Sequence, residues 1–363
     1  ITLDCYKFFL MGQQFSGDGT ITSVNKEFVL PSWYNPNHAV THATISVCKS
    51  SISILSRGDQ VVFQRIRAFG YSLSPAEFLY RQLFYRLAVL SPRFLRDNLR
   101  IDSDASQHLR TSDILQSEVA HSFFDALLIN PILELAPYTS QEDIDAAVVV
   151  IVNRLNIQYG IDASLYSDIA FIIMNVLSDC MGGSFETTSQ SWTDVLSKIL
   201  QTFVSLNLVN KNHFGTFSIR ETMLQLGQPF IDWSNGLLGT GYNLVDNQHQ
   251  WLLTIVNVLI HVCTKNTMQI NLDDVLDALC DYTCIHFTEE EMLFMNNPNY
   301  SERDLHKAQH IDFLNTIVNL KKEIGIESNG VLSKQTLDYM INWLTNHIRT
   351  MDRRMVEECL TKA

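Results

Sequence analysis

The sequence lacks a surplus of basic residues. Its 26 Lys and Arg stand against 39 Asp and Glu, which gives a formal net charge of −13 at pH 7. No run of Lys and Arg forms the basic stripe that a nucleic acid or an anionic membrane surface requires. We therefore expect neither nucleic acid nor membrane among the partners of this protein.

Long apolar runs and paired cysteines are also missing. No apolar run reaches the roughly 18 residues needed to span a bilayer, which predicts a soluble chain. The seven cysteines are odd in number and lack paired spacing, which indicates reduced thiols and a cytoplasmic protein. Cys280 and Cys284 are typical of half-buried helix residues rather than of a redox pair. Because the chain begins at Ile1, an upstream targeting segment would not be visible.

The length of the chain predicts two domains, because 363 residues exceed what one hydrophobic core usually serves. Turn-forming residues predict a loop-rich arm over residues 1–40 and a linker over residues 209–228. Between them, residues 41–208 have a helical period almost throughout, as in the stretches 75–98 and 143–159. Pro75 stands where a helix should begin.

The second predicted domain covers residues 229–363 and is also helical. Four longer periodic segments lie around residues 244–264, 271–295, 301–324 and 332–359. Four helices of this length in sequence predict an up-and-down four-helix bundle. The fold class of the whole chain is therefore expected to be all-α.

Metal-ligand side chains concentrate in the four segments of this bundle. Most are spaced on a helical pitch, and residues four apart share one helix face. Five imidazoles and two carboxylates facing one another across a bundle would suit two iron ions. The candidate ligands are His249, His286, Glu290, His306, His310, His347 and Asp352.

The number of ligands constrains the chemistry of such a site. If both carboxylates and an oxo or hydroxo group bridge the metals, an iron with three histidines is six-coordinate. The other iron, with two histidines, is five-coordinate and keeps one open position. An open position on a reducible metal is what a small ligand such as dioxygen needs.

The pair His347 and Asp352 departs from the helical pitch. Five residues at about 100° each leave Asp352 roughly 140° around the helix from His347. A shared site therefore demands either side-chain reach or a local π-type widening of the helix.

The residues around these ligands resemble a hemerythrin domain of the bacterial type. The resemblance rests on Asp246-Asn-Gln-His249, His286-Phe-Thr-Glu-Glu290-Glu, His306-Lys-Ala-Gln-His310 and Trp343-Leu-Thr-Asn-His347-Ile-Arg-Thr-Met-Asp352. It covers about residue 229 to the end. It implies that His306, His310 and His347 hold the six-coordinate iron and that His249 and His286 hold the open one. It also implies bridging by Glu290 and Asp352, and binding of dioxygen or another small gas.

Apolar residues beside the ligands are candidates for the wall of the site. Trp343, four residues before His347, shares its helix face. We expect these residues to exclude water and slow oxidation, with ordinary core packing as the alternative. The candidate wall residues are Trp343, Leu253, Ile285 and Leu344.

Residues 41–208 resemble a globin, but less specifically. The resemblance rests on Phe78-Leu-Tyr-Arg-Gln-Leu-Phe84 leading to Pro92, on Leu155-Asn-Ile-Gln-Tyr159-Gly160-Ile161, and on Trp192. It places Asn156 where globins carry the proximal histidine, and Asn98 where an aromatic side chain would stack on the porphyrin.

No histidine occurs between His121 and His213, so a shift of register cannot supply the proximal ligand. His121 and His108 are expected to be solvated or hydrogen-bonded rather than to bind haem. The resemblance therefore implies a globin-like domain without haem. The alternative is an antiparallel helical domain unrelated to globins.

Three functions use these observations. The first is a dioxygen sensor or carrier, not an enzyme, whose haemless globin-like domain regulates, self-associates or binds a protein partner. The second is a di-iron enzyme that reduces peroxide or nitric oxide, which would need an electron donor that the cysteines do not indicate. The third is an interaction protein whose C-terminal bundle folds on binding iron.

Overall fold

The computed structural model describes most of the chain and is helical wherever it is described. The described residues are 30–58, 61–68, 74–99, 115–209, 230–233, 236–265, 272–295, 297–326, 332 and 334–360. They contain α-helices and short 3₁₀ and π turns, and no β-strand occurs among them. The all-α prediction is confirmed for this part of the chain. The predicted arm and linker, and His108, lie largely or wholly outside it.

The chain divides into two compact units. Unit 1 comprises Ile1–Gln60, Leu73–Ser103 and Ser112–Phe217, and unit 2 comprises Val61–Ser72, Asp104–Thr111 and Ser218–Ala363. The predicted boundaries placed residues 61–72 in the first domain, whereas the structure groups them with unit 2.

Nine helices are described within the first 209 residues. In chain order they are α1 His42–Arg57, α2 Val61–Ala68, α3 Pro75–Leu90, α4 Pro92–Leu99, α5 Glu118–Phe124, α6 Asn130–Leu135, α7 Gln141–Tyr159, α8 Ala163–Met181 and α9 Ser189–Ser205.

Local signals explain where several of these helices start and stop. Ser74 accepts a hydrogen bond from the backbone N–H of Glu77 and caps α3, which begins at Pro75 as expected. The helical stretch predicted over residues 75–98 is divided into two helices in the structure, because α3 ends at Leu90. Pro92 has no amide hydrogen to continue α3, and it begins α4 instead.

The two asparagines at the expected haem-contact positions are engaged with backbone. Asn156 Nδ2 donates to the carbonyl of Ile161 at 2.8 Å, just beyond Gly160, which ends α7 with φ of 67°. Asn98 Nδ2 donates to the carbonyl of Phe94 at 3.0 Å. Both side chains thus support local turns of unit 1.

One helix of unit 1 is long and apolar enough to qualify as a membrane span by length and composition. It covers Ala163–Phe185, with a mean hydropathy of 1.2 over the best window, and 61% of that window is buried. The sequence was expected to contain no segment of this kind. By length and composition this helix qualifies, so that expectation was wrong. Because most of the helix is buried inside the folded unit, it has the burial of a core helix.

The C-terminal part of unit 2 contains the predicted bundle helices. They are α10 Asn243–Lys265, α11 Leu272–Met295, α12 Arg303–Ile326 and α13 Lys334–His347, followed by a π turn Ile348–Asp352 and α14 Arg353–Leu360. The four periodic segments of the sequence match these helices to within about two residues, since helix ends are ill-defined on that scale.

The π turn and α14 complete the fourth segment. The backbone N–H of Arg353 donates to the carbonyl of Ile348, five residues back, which is the hydrogen bond of a π turn. Beyond it, α14 buries Met355, Val356 and Cys359 in a small apolar cluster with Phe294 and Tyr300. The turn thus fixes the rotation of the helix that follows.

Candidate metal centre

The seven predicted ligands come together in the interior of the bundle. They form two groups of donor atoms, each within 4.8 Å of one another. The first group is Glu290, His306, His310, His347 and Asp352, and the second is His249, His286, Glu290 and Asp352. Both carboxylates belong to both groups, so the arrangement has two centres, one with three imidazoles and one with two.

Each of the four helical segments supplies part of the set. Helix α10 contributes His249, and α11 contributes His286 with Glu290, whose spacing of four places them on one face. His306 and His310 are related in the same way on α12. His347 ends α13, and all seven side chains are buried.

Asp352 reaches the centre because of the π turn. The sequence left two ways of bringing it beside His347, and the structure shows the widened turn over Ile348–Asp352. Asp352 Oδ1 lies 3.2 Å from His347 Nε2 and 3.1 Å from His306 Nε2. Its Oδ2 lies 3.0 Å from His249 Nε2, so the carboxylate spans the two centres.

Among the described residues, neither carboxylate of the centre has a hydrogen-bond partner. Both side-chain oxygens of Glu290 and of Asp352 are buried without a hydrogen bond, as are both ring nitrogens of His249. Ring nitrogens approach these oxygens to between 3.0 and 3.8 Å, but not with hydrogen-bond geometry. A buried carboxylate without a partner is strongly unfavourable. A cation held between the two carboxylates would supply that partner.

The spacing of the imidazoles fits a metal ion of octahedral preference. His347 Nε2 lies 3.0 Å from His306 Nε2 and 3.1 Å from His310 Nε2. First-row divalent metals hold imidazole nitrogens at about 2.1 Å, so two such nitrogens at right angles lie about 3.0 Å apart. Five imidazoles and two carboxylates without a thiolate suit iron, zinc, copper or nickel. The residues present therefore fit a pair of such ions.

Comparison with known proteins agrees with this geometry. The family model described as the hemerythrin HHE cation binding domain matches residues 240–359. A bacteriohemerythrin from Pseudomonas aeruginosa is 31% identical over 126 residues, covering 33% of this chain and 76% of that protein. The chain belongs to the hemerythrin family.

Two further hemerythrins are similar to part of the chain. A bacteriohemerythrin of Methylococcus capsulatus is 29% identical over 123 residues, covering 34% of this chain and 92% of that protein. A crystal structure of wild-type hemerythrin has a TM-score of 0.32 at 28% identity, covering 37% of this chain and 99% of that one.

The outer ring nitrogens of four histidines have defined partners in the hemerythrin domain. His286 Nδ1 donates to Gln248 Oε1 at 3.1 Å, and His347 Nδ1 donates to Gln309 Oε1 at 2.9 Å. A proton held on Nδ1 leaves Nε2 free to bind a metal, and it fixes the orientation of the ring.

The other two partners differ in chemistry. His306 Nδ1 lies 3.0 Å from the hydroxyl oxygen of Tyr300, and His310 Nδ1 lies 3.1 Å from Glu291 Oε1. Glu291 is thus the one ionisable carboxylate among the four partners. With Nε2 on a metal, each of these rings donates its Nδ1–H outward.

Sequence reasoning missed these four partners, although a signal existed for three of them. Gln248, Gln309 and Glu291 each adjoin a ligand in sequence. Adjacent residues on a helix point about 100° apart, so a residue beside a ligand faces a neighbouring helix and can reach the histidine there. Tyr300 lies in the loop before α12 and has no comparable signal.

Burial and charge together set the protonation of the site. Burial lowers the pKa of His286 to about 4 and that of His347 to about 3. Burial also opposes charge on His306, but the adjacent carboxylates of Asp352 and Glu290 raise its pKa to about 9. His286 and His347 are therefore neutral, which is the form that binds metal.

The two carboxylates are ionised despite their burial. Burial and the neighbouring Asp352 raise the pKa of Glu290, but His286, His306 and His310 outweigh them and lower it. Burial likewise opposes ionisation of Asp352, while His347, His249 and His306 hold its pKa well below the usual range. Two buried anions thus remain available to bridge two cations.

Aromatic rings enclose the three-histidine centre. Trp343 stacks on His347 with centroids 4.4 Å apart and on Phe313 with centroids 4.0 Å apart. Phe287 stacks on His310 at 3.8 Å. Trp343 thus lies against a candidate ligand, and its role as a wall of the site stays a prediction. Leu253, Ile285 and Leu344 are buried, and their role as a wall stays a prediction.

Proposed function

We propose that the hemerythrin domain holds two iron ions and binds dioxygen, so that the protein senses or carries this gas. His306, His310 and His347 would hold one iron, and His249 and His286 the other. Glu290 and Asp352 would bridge them. One observation carries the proposal: two centres share both carboxylates but divide the imidazoles three to two.

The unequal division is what favours ligand binding over a purely structural site. With the same bridges on both sides, the centre with two imidazoles has one ligand fewer and so keeps a position open for a small molecule. A bound di-iron group would supply reversible, redox-active binding of dioxygen at that position.

The residues around the site have supporting tasks. Gln248, Gln309, Tyr300 and Glu291 hold the outer protons of four histidines and keep each ring oriented. The stacked rings of Phe287, Phe313 and Trp343 place apolar surface beside His310 and His347. An apolar surround excludes water and slows loss of a bound gas by oxidation.

The test of the proposal is the iron content of the purified chain, with its absorption spectrum under nitrogen and under air. We expect two irons per chain and a spectral change on admitting air that reverses on removing it. Glu290→Gln and His310→Ala should each lower the iron content. Full iron content in both variants would exclude this site.

For unit 1 we propose a globin-like module without haem that acts through its surface. The amides of Asn156 and Asn98 are committed to backbone carbonyls of their own unit. Helix α7 also presents apolar side chains to solvent, among them Val150 and Ile157, which are 62% and 83% exposed. Exposed apolar side chains on one helix favour contact with a protein partner or a second copy.

A further inference from the structure

Helix α2 is a fifth helix of the hemerythrin domain, supplied from a distant part of the sequence. The helix, Val61–Ala68, belongs to unit 2, although α1 before it and α3 after it belong to unit 1. It packs against α11 and buries Val62 and Phe63. The chain therefore leaves unit 1, adds one helix to unit 2 and returns.

A charged contact ties this helix to α11. Arg65 forms an ion pair with Glu291, with the two side chains 14% and 9% exposed. Arg65 Nη1 also donates to Thr288 Oγ1 at 3.2 Å. Because Thr288 and Glu291 are three residues apart, they lie on one face of α11 and receive the guanidinium together. A charge pair so little exposed is screened less by solvent than a surface pair.

The same carboxylate also holds a candidate ligand. Glu291 Oε1 accepts the outer proton of His310 at 3.1 Å. Arg65, Glu291 and His310 thus form a continuous chain from α2 to the three-histidine centre. The corresponding partners of His286, His347 and His306 are neutral groups, so His310 alone among these four has a charged link to another helix.

We propose that Arg65 is a positioning residue that couples metal occupancy at His310 to the docking of α2. The proposal rests on the proposed function, because it requires His310 to bind a metal. With a metal on Nε2, the ring proton must stay on Nδ1 and always points to Glu291. Without a metal the proton can occupy either nitrogen. The metal thus holds the Glu291 carboxylate in the place where it receives Arg65.

Coupling of this kind acts in both directions. If metal binding favours docking of α2, then docked α2 favours retention of the metal by the same factor. Since α2 lies between two helices of unit 1 in the sequence, it is the element through which the occupancy of the centre can reach that unit. In this way metal binding could affect unit 1 without a second ligand-binding site.

The experiment is hydrogen exchange of the full chain, metal-free and loaded with ferrous iron under nitrogen, with iron release to a chelator as the second measurement. In the wild type we expect the amides of Val61–Ala68 to exchange about tenfold more slowly when iron is bound. Arg65→Gln should abolish that difference. It should also speed iron release by about tenfold, since partners that hold a ligand typically change metal affinity by 10- to 100-fold.

Two further variants sharpen the result. Glu291→Gln keeps an acceptor for His310 but loses both the ion pair and the charge of that acceptor, so it should free α2 as Arg65→Gln does and release iron at least as fast as that variant. Lys321→Gln is the matched control, because Lys321 forms an ion pair with Asp277 of the same helix α11, but from α12 rather than from α2. It lies 11 residues, or about 16 Å, along α12 from His310, and should change neither measurement.

The outcomes separate this proposal from the proposed function. If the chain binds two irons but hydrogen exchange in α2 is the same with and without iron, the coupling is wrong and the proposed function stands. Iron release unchanged by Arg65→Gln would overturn the reciprocal effect. A wild-type chain that takes up no iron would remove both proposals.

Discussion

The two units of this protein both bury charged groups, but they treat them differently. In unit 1, Arg86 pairs with Asp179 and also donates to Gln82 Oε1 at 3.3 Å. In unit 2, the carboxylates of Glu290 and Asp352 are buried, and none of their four oxygens accepts a hydrogen bond from a described residue. A buried charge that the protein itself neutralises needs no further partner, whereas a buried carboxylate without a hydrogen bond is a place where an external cation would bind.

The largest expected effect is on unit 2 when its metal is removed. Metal that binds only the folded state stabilises by about 4 kcal/mol per site at a free concentration 1,000-fold above Kd. Stripping iron from the intact chain should therefore lower the unfolding temperature of unit 2 by much more than that of unit 1. Scanning calorimetry of loaded and chelated protein checks this. Equal shifts of both transitions would contradict the comparison.

Next in size is the loss of the buried ion pair in unit 1. Asp179→Asn leaves Arg86 buried without its anion, which should lower the free energy of unfolding by about 3–5 kcal/mol. The control is Glu134→Gln, which breaks a half-exposed pair with Arg154 and should cost about 1 kcal/mol or less.

Neither substitution should alter iron content, because both residues lie in unit 1. Denaturant unfolding and iron analysis measure the two effects. Loss of iron in Asp179→Asn would show that the units are not separate in this respect.

An effect of similar size or smaller is expected from a pair of tryptophans, one in each unit. Trp192 is buried in unit 1, and replacing it with Ala should cost about 3–5 kcal/mol. Trp343→Ala removes a less buried ring and should cost about 2–3 kcal/mol by the same reasoning.

What should separate the two is oxidation. Only Trp343 stacks on a candidate ligand, His347, so only its loss should accelerate decay of the oxygenated spectrum in stopped-flow measurements. An unchanged decay rate in Trp343→Ala would leave this residue with packing alone.

The smallest expected effect is on haem binding by unit 1, which should be none. Titration with hemin should give no sharp Soret band and no saturation at one equivalent. His121 Nε2 lies 2.6 Å from the carbonyl of Leu115, so this ring is engaged with backbone. A stoichiometric complex that disappears in His121→Ala would reverse the assignment of unit 1.

Much of the hemerythrin domain could be predicted because its information is local. Ligands four residues apart identify their helices, and periodicity placed those helices closely. The sequence allowed two ways for Asp352 to reach the site, a long side-chain reach or a π turn. The residue types alone do not show which backbone hydrogen bonds form. In unit 1 the division between α3 and α4 at Ser91 was not predicted, because the apolar period of the sequence continues through Pro92.

The contacts that could not be predicted are those between distant parts of the sequence. Arg65 and Glu291 are 226 positions apart, and neither shows a spacing that relates it to the other. Assignment of α2 to unit 2 depends on the same long-range packing. Spacing in the sequence identifies residues that share one face of a helix. Only the fold shows which other helix packs against that face.

The π turn at Ile348–Asp352 holds one residue more than a regular α-helical turn. If the same five residues formed a regular α-helix, every later side chain would be rotated by about 100° around the helix. Asp352 would leave the site, and Met355, Val356 and Cys359 would turn away from Phe294 and Tyr300. Tyr300 bonds to His306, so loss of the wide turn would disturb a carboxylate and an imidazole at once. The direction of the last helix and the arrangement of the metal centre therefore depend on one backbone hydrogen bond.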